Sequence, residues 1–387
     1  MMHARRAIAA ACAASLLLLA AGCDKDKDAE PPAELVDVRP TLEVDKLWDH
    51  NLGGDGEKLR LALGLALDDG TLYAASRDGN VEALDPATGR TKWSAETRAQ
   101  LSAGPGVGEN VVAVGTSDGA VIAFDKAGKR LWKAAVSGEV LAAPLVTSDR
   151  VIVRTVDGRL RSLEAATGKE QWSAEEPMPR LSLRGTAPPA LAGEALLAGF
   201  DSGKVVAVSL ATGDVLWQSQ VSTPRGRSEL ERLADVDSAV RVEGEDGYAV
   251  GYQGRVVMFA LGSGQVWWGR DLSSYRGLAL DADQLYVSTS DGSVAALRRR
   301  DGTVLWQQEG LKWRGLSTPA VVGEAVVVGD FEGYLHWLDR DTGKFVAREH
   351  PGKERISAEP VVDGRRVYVI DDGGRIVAYR VGGTAGT

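Results

Sequence analysis

The sequence predicts an all-β protein, an eight-bladed β-propeller of four-stranded antiparallel blades closed by a strand from the N-terminus. Three observations carry that expectation. A unit of about 40 residues recurs eight times along the 387-residue chain. Its apolar runs are short, rich in β-branched residues and separated by glycine-containing turns. The last copy lacks a closing strand, and a segment near the N-terminus supplies one.

The repeat is read most easily from one glycine per unit: Gly79, Gly119, Gly158, Gly203, Gly254, Gly292, Gly333 and Gly374. The intervals are 40, 39, 45, 51, 38, 41 and 41 residues, a period at which chains build solenoids or rings. A tryptophan follows in step, at Trp93, Trp132, Trp172, Trp217, Trp268 and Trp306, and the seventh unit has Ala347 in that slot. Runs such as VVAV at 111–114 and VVV at 326–328 are too short for helices. They are unbroken rather than alternating, as in strands covered on both faces. Asp-Gly pairs such as 78–79, 118–119 and 291–292 supply the positive φ of tight hairpins. Thr-Gly pairs at 88–89, 167–168, 212–213 and 342–343 mark a second turn. The tryptophan four residues later offers a flat apolar surface to the next unit. A residue that recurs blade after blade is structural, so these tryptophans are not taken as binding residues.

Closure follows from the ends. Strands of the eighth unit run to Val381, and a Gly-rich tail at 382–387 follows. The missing strand and tryptophan are found at 42–48 (LEVDKLW). Pairing them closes the ring over 41–381 and removes two exposed sheet edges. A core built this way holds by packing and needs no disulfide.

The chain before the ring has a different character. Arg5 and Arg6 precede an apolar run at 7–21, too short for a mature span and shaped as an export signal over 1–22. Cys12 leaves with that signal, which makes Cys23 the one thiol of the mature chain. The sequence LAAGC at 19–23 resembles a bacterial lipobox, with Cys23 as the acylated residue and several acyl chains as a durable anchor. Residues 23–40 read as a flexible tether. Their spaced aspartates lack the glycine and glutamate of a calcium loop, and a charged, proline-ended stretch stays solvated.

Charge and motifs exclude whole classes of function. The formal charge is −9, and losing Arg5 and Arg6 takes it to −11. A body of that sign repels nucleic acid. Arg298, Arg299 and Arg300 sit at a hairpin and read as a solvated turn. The histidines are His3, His50, His336 and His350. No nucleophile motif, phosphate loop or metal-ligand spacing accompanies them. GPGVG at 104–108 has no following helix and reads as a turn into a strand. No catalytic residue, cofactor or metal is expected.

The unit A-(L/F)-D-x-x-T-G-x-x-x-W resembles the repeat of pyrroloquinoline-quinone dehydrogenases over about residues 42–381. The chain is shorter than those enzymes and has no pair of adjacent cysteines, so the resemblance brings the fold and not the activity. The two long intervals place insertions at 179–185 (PRLSLRG) and 228–237 (SELERLADVD). In rings of repeats such insertions map to loops and often to a binding face, and those of adjacent blades emerge on one side. Ser228 with Glu231 makes a capping box, which predicts a short helix.

Together with GDFEGYLHW at 329–337, these stretches resemble the BamB family, lipoproteins of the outer-membrane β-barrel assembly machinery, along the whole mature chain. The resemblance implies a non-enzymatic scaffold on the periplasmic face of the outer membrane, held there by Cys23. It implies the POTRA domains of BamA as partner and help with inserting outer-membrane proteins. The family's contact positions carry over to Leu181, Leu183, Arg184, Asp235 and Asp237. Leucines flanking a cation suit a binding hot spot, and the aspartates would orient Arg184 or a basic group of the partner. A direct hold on unfolded outer-membrane proteins is compatible with this role. Two other readings stay open: a degenerate quinoprotein, marked by calcium-dependent quinone binding, and a general periplasmic peptide-binding propeller that adds strands to a blade edge.

Overall fold

The computed structural model describes residues 30–54, 63–183 and 187–384. Two compact units divide the chain, Met1–Pro32 and Ala33–Thr387. The second is built of eight four-stranded antiparallel sheets, and no α-helix occurs among the described residues. Seven blades are simple meanders, taken from residues 65–96, 101–135, 145–175, 190–220, 241–271, 278–308 and 320–349. In each the first strand lies innermost, against the central axis, and the fourth lies outermost.

The eighth blade joins the two ends of the chain. Leu42–Asn51 pairs antiparallel with Arg375–Thr384, in register from Leu42 opposite Thr384 to Asn51 opposite Arg375. The closing strand therefore exists as expected, and the ladder runs three residues past Val381. Gly382 and Gly383, expected in a free tail, are strand because Leu42 and Glu43 lie alongside them.

Middle strands are buried on both faces, since each sheet is sandwiched between two others. Every residue of Val111–Thr116 is buried, which is why the sequence shows unbroken apolar runs. Blades are joined by their tryptophans. The Trp48 indole lies against Gly89 of the next blade, where a Cβ would come within 2.6 Å of the ring, and its Nε1 donates to the Pro86 carbonyl at 3.1 Å. The same pair of contacts recurs from Trp93, on Gly128 and the Lys126 carbonyl, round to Trp306, on Gly343 and the Arg340 carbonyl. Glycine is required at these turns by the close approach as much as by its positive φ, 70° at Gly89. Ala347 now has an explanation. Its tryptophan would need the turn between the last two strands of blade eight, and those strands come from opposite chain ends, so no such turn exists.

Three local expectations need correcting. Of the segment expected as a tether, residues 33–40 are held against blades six and seven, together with Thr41. Ala33 N–H donates to Lys312 O at 2.9 Å and Thr41 N–H to Val346 O at 2.8 Å. Arg314 and Arg348 grip the carbonyls of Ala33 and Val36, and Leu35 packs on the Trp306–Leu316 cluster. Residues 104–107 lie inside the strand Leu101–Val107 rather than before it. Of the arginine run, Arg299 is pinned: its guanidinium donates to the carbonyls of Asp281 and Ala282 at 2.7 and 2.8 Å.

Candidate interaction site

Chain leaving an outermost strand must cross back to the axis to start the next blade. It does so over the hairpin turns that hold Gly158 and Gly203. Glu176 N–H donates to Gly158 O at 3.0 Å, and Val221 and Ser222 N–H both donate to Gly203 O at 2.9 Å. The two long connections therefore lie on one face of the ring, as their spacing in the sequence implied.

The first connection presents Leu181 and Leu183, which are 44% and 37% exposed. The second presents Leu230, 65% exposed. Here the capping box forms: Glu231 accepts from Arg227 and Ser228 N–H at 2.7 and 3.0 Å, and Glu231 N–H donates to Ser228 Oγ at 3.2 Å. The expected helix does not follow, and residues 229–232 make a single turn. Leu233, Ala234 and Val236 are buried, with Ala234 and Val236 lying over Gly203 and Gly199. Drawing them inward ends the helical path after one turn.

Asp235 ties the two connections together. It is fully buried, and its Oδ2 accepts from the backbone N–H of Leu183. Its own carbonyl accepts from Tyr252 N–H at 2.7 Å, and its Oδ1 has no hydrogen-bond partner among the described residues. Burial pushes the carboxyl up to about 6; the negative charge of Asp201 adds to this, while the Leu183 N–H and Arg154 oppose it. Beneath lies a buried ion pair between Arg154 and Asp201, with the Arg154 guanidinium 5.3 Å from the Phe200 ring centre.

Of the residues singled out in the sequence, Leu183 and Asp235 are brought into contact and Leu181 is exposed beside them. Asp237 is buried and lines the central channel. Arg184 and Cys23 lie outside the described residues. Sequence reasoning missed Leu230, since the expected helix left its exposure open, and it missed the Arg154–Asp201 pair, whose members sit in different blades with no local signal.

The axial channel has a volume of about 630 Å³. It is crossed by Arg241 of blade five, whose guanidinium reaches both carboxylate oxygens of Glu359 at the start of blade eight. His336, expected to be structural, is fully buried. Its Nδ1 accepts from Arg348 Nε at 3.1 Å and its Nε2 faces Asp330 Oδ2 at 3.0 Å, which fixes the neutral ring with the proton on Nε2. Burial, above all, lowers its pKa. Among the described residues no group of three or more His, Cys, Asp or Glu side chains is arranged to hold a metal ion.

Comparisons with known proteins place these features in a family context. The family model described as outer membrane protein assembly factor BamB matches residues 45–100, 77–308 and 307–385. The protein of that name from Pseudomonas aeruginosa is 42% identical over 370 residues, spanning 95% of this chain and 97% of its own. Its counterpart from Bordetella pertussis is 38% identical over 368 residues, spanning 94% and 95%. Among solved structures, BamB from Moraxella catarrhalis superposes with a TM-score of 0.80 at 28% identity, covering 87% of this chain and all of that one. A europium-containing methanol dehydrogenase superposes with a TM-score of 0.71 at 15% identity, over 87% of this chain and 93% of its own, a likeness of fold alone.

Proposed function

The chain belongs to the family of the outer membrane protein assembly factor BamB, and from that membership we propose that it is a non-enzymatic scaffold of the machinery that assembles β-barrels at the outer membrane. Its anchor is acylated Cys23, on the periplasmic face. Its partner is the set of POTRA domains of BamA, held by Leu181, Leu183 and Arg184, with Leu230 beside them. Asp235 keeps the first loop in its binding shape, and Asp237 orients Arg184 or a basic group of the partner. The observation that carries this reading is the pair of exposed leucines on a loop whose backbone is braced by a buried carboxylate. Exposed apolar groups on a rigid support bind with little ordering cost.

The test is co-purification of the tagged protein from native membranes, with Leu183→Asp and Arg184→Ala variants alongside. A POTRA-bearing barrel protein should accompany the parent chain and be lost with Leu183→Asp at an unchanged melting temperature. Recovery of that partner with both variants would refute the loop site. Cys23→Ser should move the protein from the membrane fraction to the soluble periplasm.

A further inference from the structure

The chain joins the ring on the face that carries the long connections. Ala33 N–H donates to Lys312 O, and the Ala33 carbonyl accepts from Arg314 Nη1 at 3.1 Å. Both partners lie in the connection from blade six to blade seven. From there the backbone descends beside the outermost strand of blade seven, Phe345–Glu349, past the Val36 carbonyl on Arg348 Nη1 to Thr41 N–H on Val346 O. Leu42–Asn51 then climbs back along blade eight. What precedes Ala33 is therefore tied to the rim of the loop face, between blades six and seven. Ten residue steps separate Ala33 from Cys23, and an extended chain covers at most about 3.3–3.6 Å per step. An acyl anchor on Cys23 thus keeps this rim within about 35 Å of a bilayer.

The same rim is aromatic. Trp313, next in the chain to the residue that holds Ala33, is 45% exposed. Its φ of 61° is left-handed, a conformation that bulky side chains rarely take. It is held there by its own N–H, which donates to Asp291 O at 2.7 Å. Phe331 and Tyr334 stand half-buried on the hairpin of blade seven, their rings 5.2 and 6.0 Å from the Arg314 guanidinium. His350 stacks on Tyr334 at 4.0 Å, and Val36, 62% exposed, lies on the entering chain. The charges among these rings are matched. Glu309 pairs with Lys312 at 3.0 Å, and Asp330 and Glu332 both pair with Arg314. Matched charges cost less than lone ones to bring towards an apolar phase. Leu183 and Leu230, on the connections after blades three and four, lie three and two blades further round the ring.

We propose that this rim, centred on Trp313 with Phe331, Tyr334 and Val36 around it, rests in the interfacial layer of a phospholipid membrane and fixes the tilt of the ring on its anchor. Aromatic rings with a polar edge settle at that depth. The negative charge of the chain favours zwitterionic over anionic headgroups. An anchor joined to the ring by a single stretch of chain leaves the ring free to turn, whereas a second contact beside the point of entry holds one orientation. That orientation tips the far rim, with its leucine-bearing connections, away from the lipid to where POTRA domains can reach it. The inference rests on the anchor proposed at Cys23 and gives that anchor a direction.

The acylated full chain is reconstituted into phosphatidylcholine vesicles containing a lipid with a nitroxide on its headgroup, and chains that float with the vesicles are read. Acylation blocks Cys23 and the signal removes Cys12, so a single introduced cysteine takes a bimane label. Lys353→Cys, exposed on the connection that crosses Gly333, reports on the rim. Ala211→Cys, exposed in a turn on the opposite face, is the control. Bimane at 353 should be quenched at least about twofold, as befits a group at the membrane interface, and bimane at 211 should not be. Trp313→Asn suits the left-handed backbone. It should abolish the quenching at 353 and leave flotation, melting temperature and POTRA binding as they are. Equal quenching at 353 and 211, or quenching at 353 that survives Trp313→Asn, would overturn the proposal. So would loss of POTRA binding with Trp313→Asn, which would assign the rim to the protein partner. A chain that does not float at all refutes the anchor and this inference with it, and flotation alone tells that outcome from the others.

Discussion

Asp235 concentrates the chemistry of the loop site in one side chain. It sits under two connections from neighbouring blades, accepts a backbone hydrogen from one and is itself part of the other. Holding its charge there is costly, because the carboxylate is buried, one of its oxygens has no partner among the described residues, and the charge of Asp201 adds to the rise in its pKa. The sign of the pH effect follows. With the folded value near 6 and the unfolded value near about 4, the folded chain binds the extra proton between those limits. Stability due to this group is therefore greatest below about pH 4 and falls as pH rises to about 6. Asp235→Asn has no such titration. Its stability relative to the parent should improve by about 2 kcal/mol between pH 4 and pH 7.5, read from denaturant melts at the two pH values. A constant difference would show that the carboxyl is not perturbed. Leu181 and Leu183 were legible in the sequence as loop residues beside a cation. The brace under them was not, because the burial of Asp235 depends on Tyr252 and Phe200, which no local pattern brings near.

At the scale of elements, the N-terminal strand and the tryptophan joints decide how firmly the ring is closed. Trp48 both ends the last blade and docks on the first, so Trp48→Ala removes a joint at the seam. Trp48 is half-buried, so truncating it should cost less than the roughly 3–5 kcal/mol of a fully buried tryptophan, about 2–3 kcal/mol, and the melting temperature should drop by about 3–5 °C. Deleting 42–48 should cost more, and an unchanged melting temperature would contradict closure by this strand. Ala347→Trp should destabilise by about 1–3 kcal/mol, because Ala347 is buried and no turn glycine lies ready for the indole; a rise in melting temperature would show that a tryptophan fits there. Blade count and turn chemistry were readable because each rests on a local signal repeated along the chain, and closure because the last unit lacks a strand that 42–48 supplies. The helix after Ser228 was not foreseeable as a single turn: its capping residues are local, whereas the pull on Leu233 and Val236 comes from the blade below. The same holds for residues 33–40, polar enough to read as solvated but held by Arg314 and Arg348 from a distant part of the chain.

Over the whole molecule the exposed apolar side chains are unevenly placed. Among the described residues most of the large ones fall between Leu181 and Trp313, on blades four to six and the connections beside them. Elsewhere the outer edges carry charges of both signs. One sector of a strongly acidic ring is thus prepared for protein contact and the rest for water. The 40-residue period made the ring legible, and the two long intervals marked the sector, yet which side chains of it reach solvent depended on bulges and burial that only the assembled blades create. In the proposed role the loops of this sector hold the POTRA partner. The most direct measurement is a binding isotherm of the purified chain with isolated POTRA domains, run for the parent, Leu183→Asp and Leu216→Lys. Binding is expected for the parent and for Leu216→Lys, with a loss of at least about tenfold, or 1.4 kcal/mol, for Leu183→Asp. Equal affinity for all three would place the partner elsewhere on the ring and contradict a loop site.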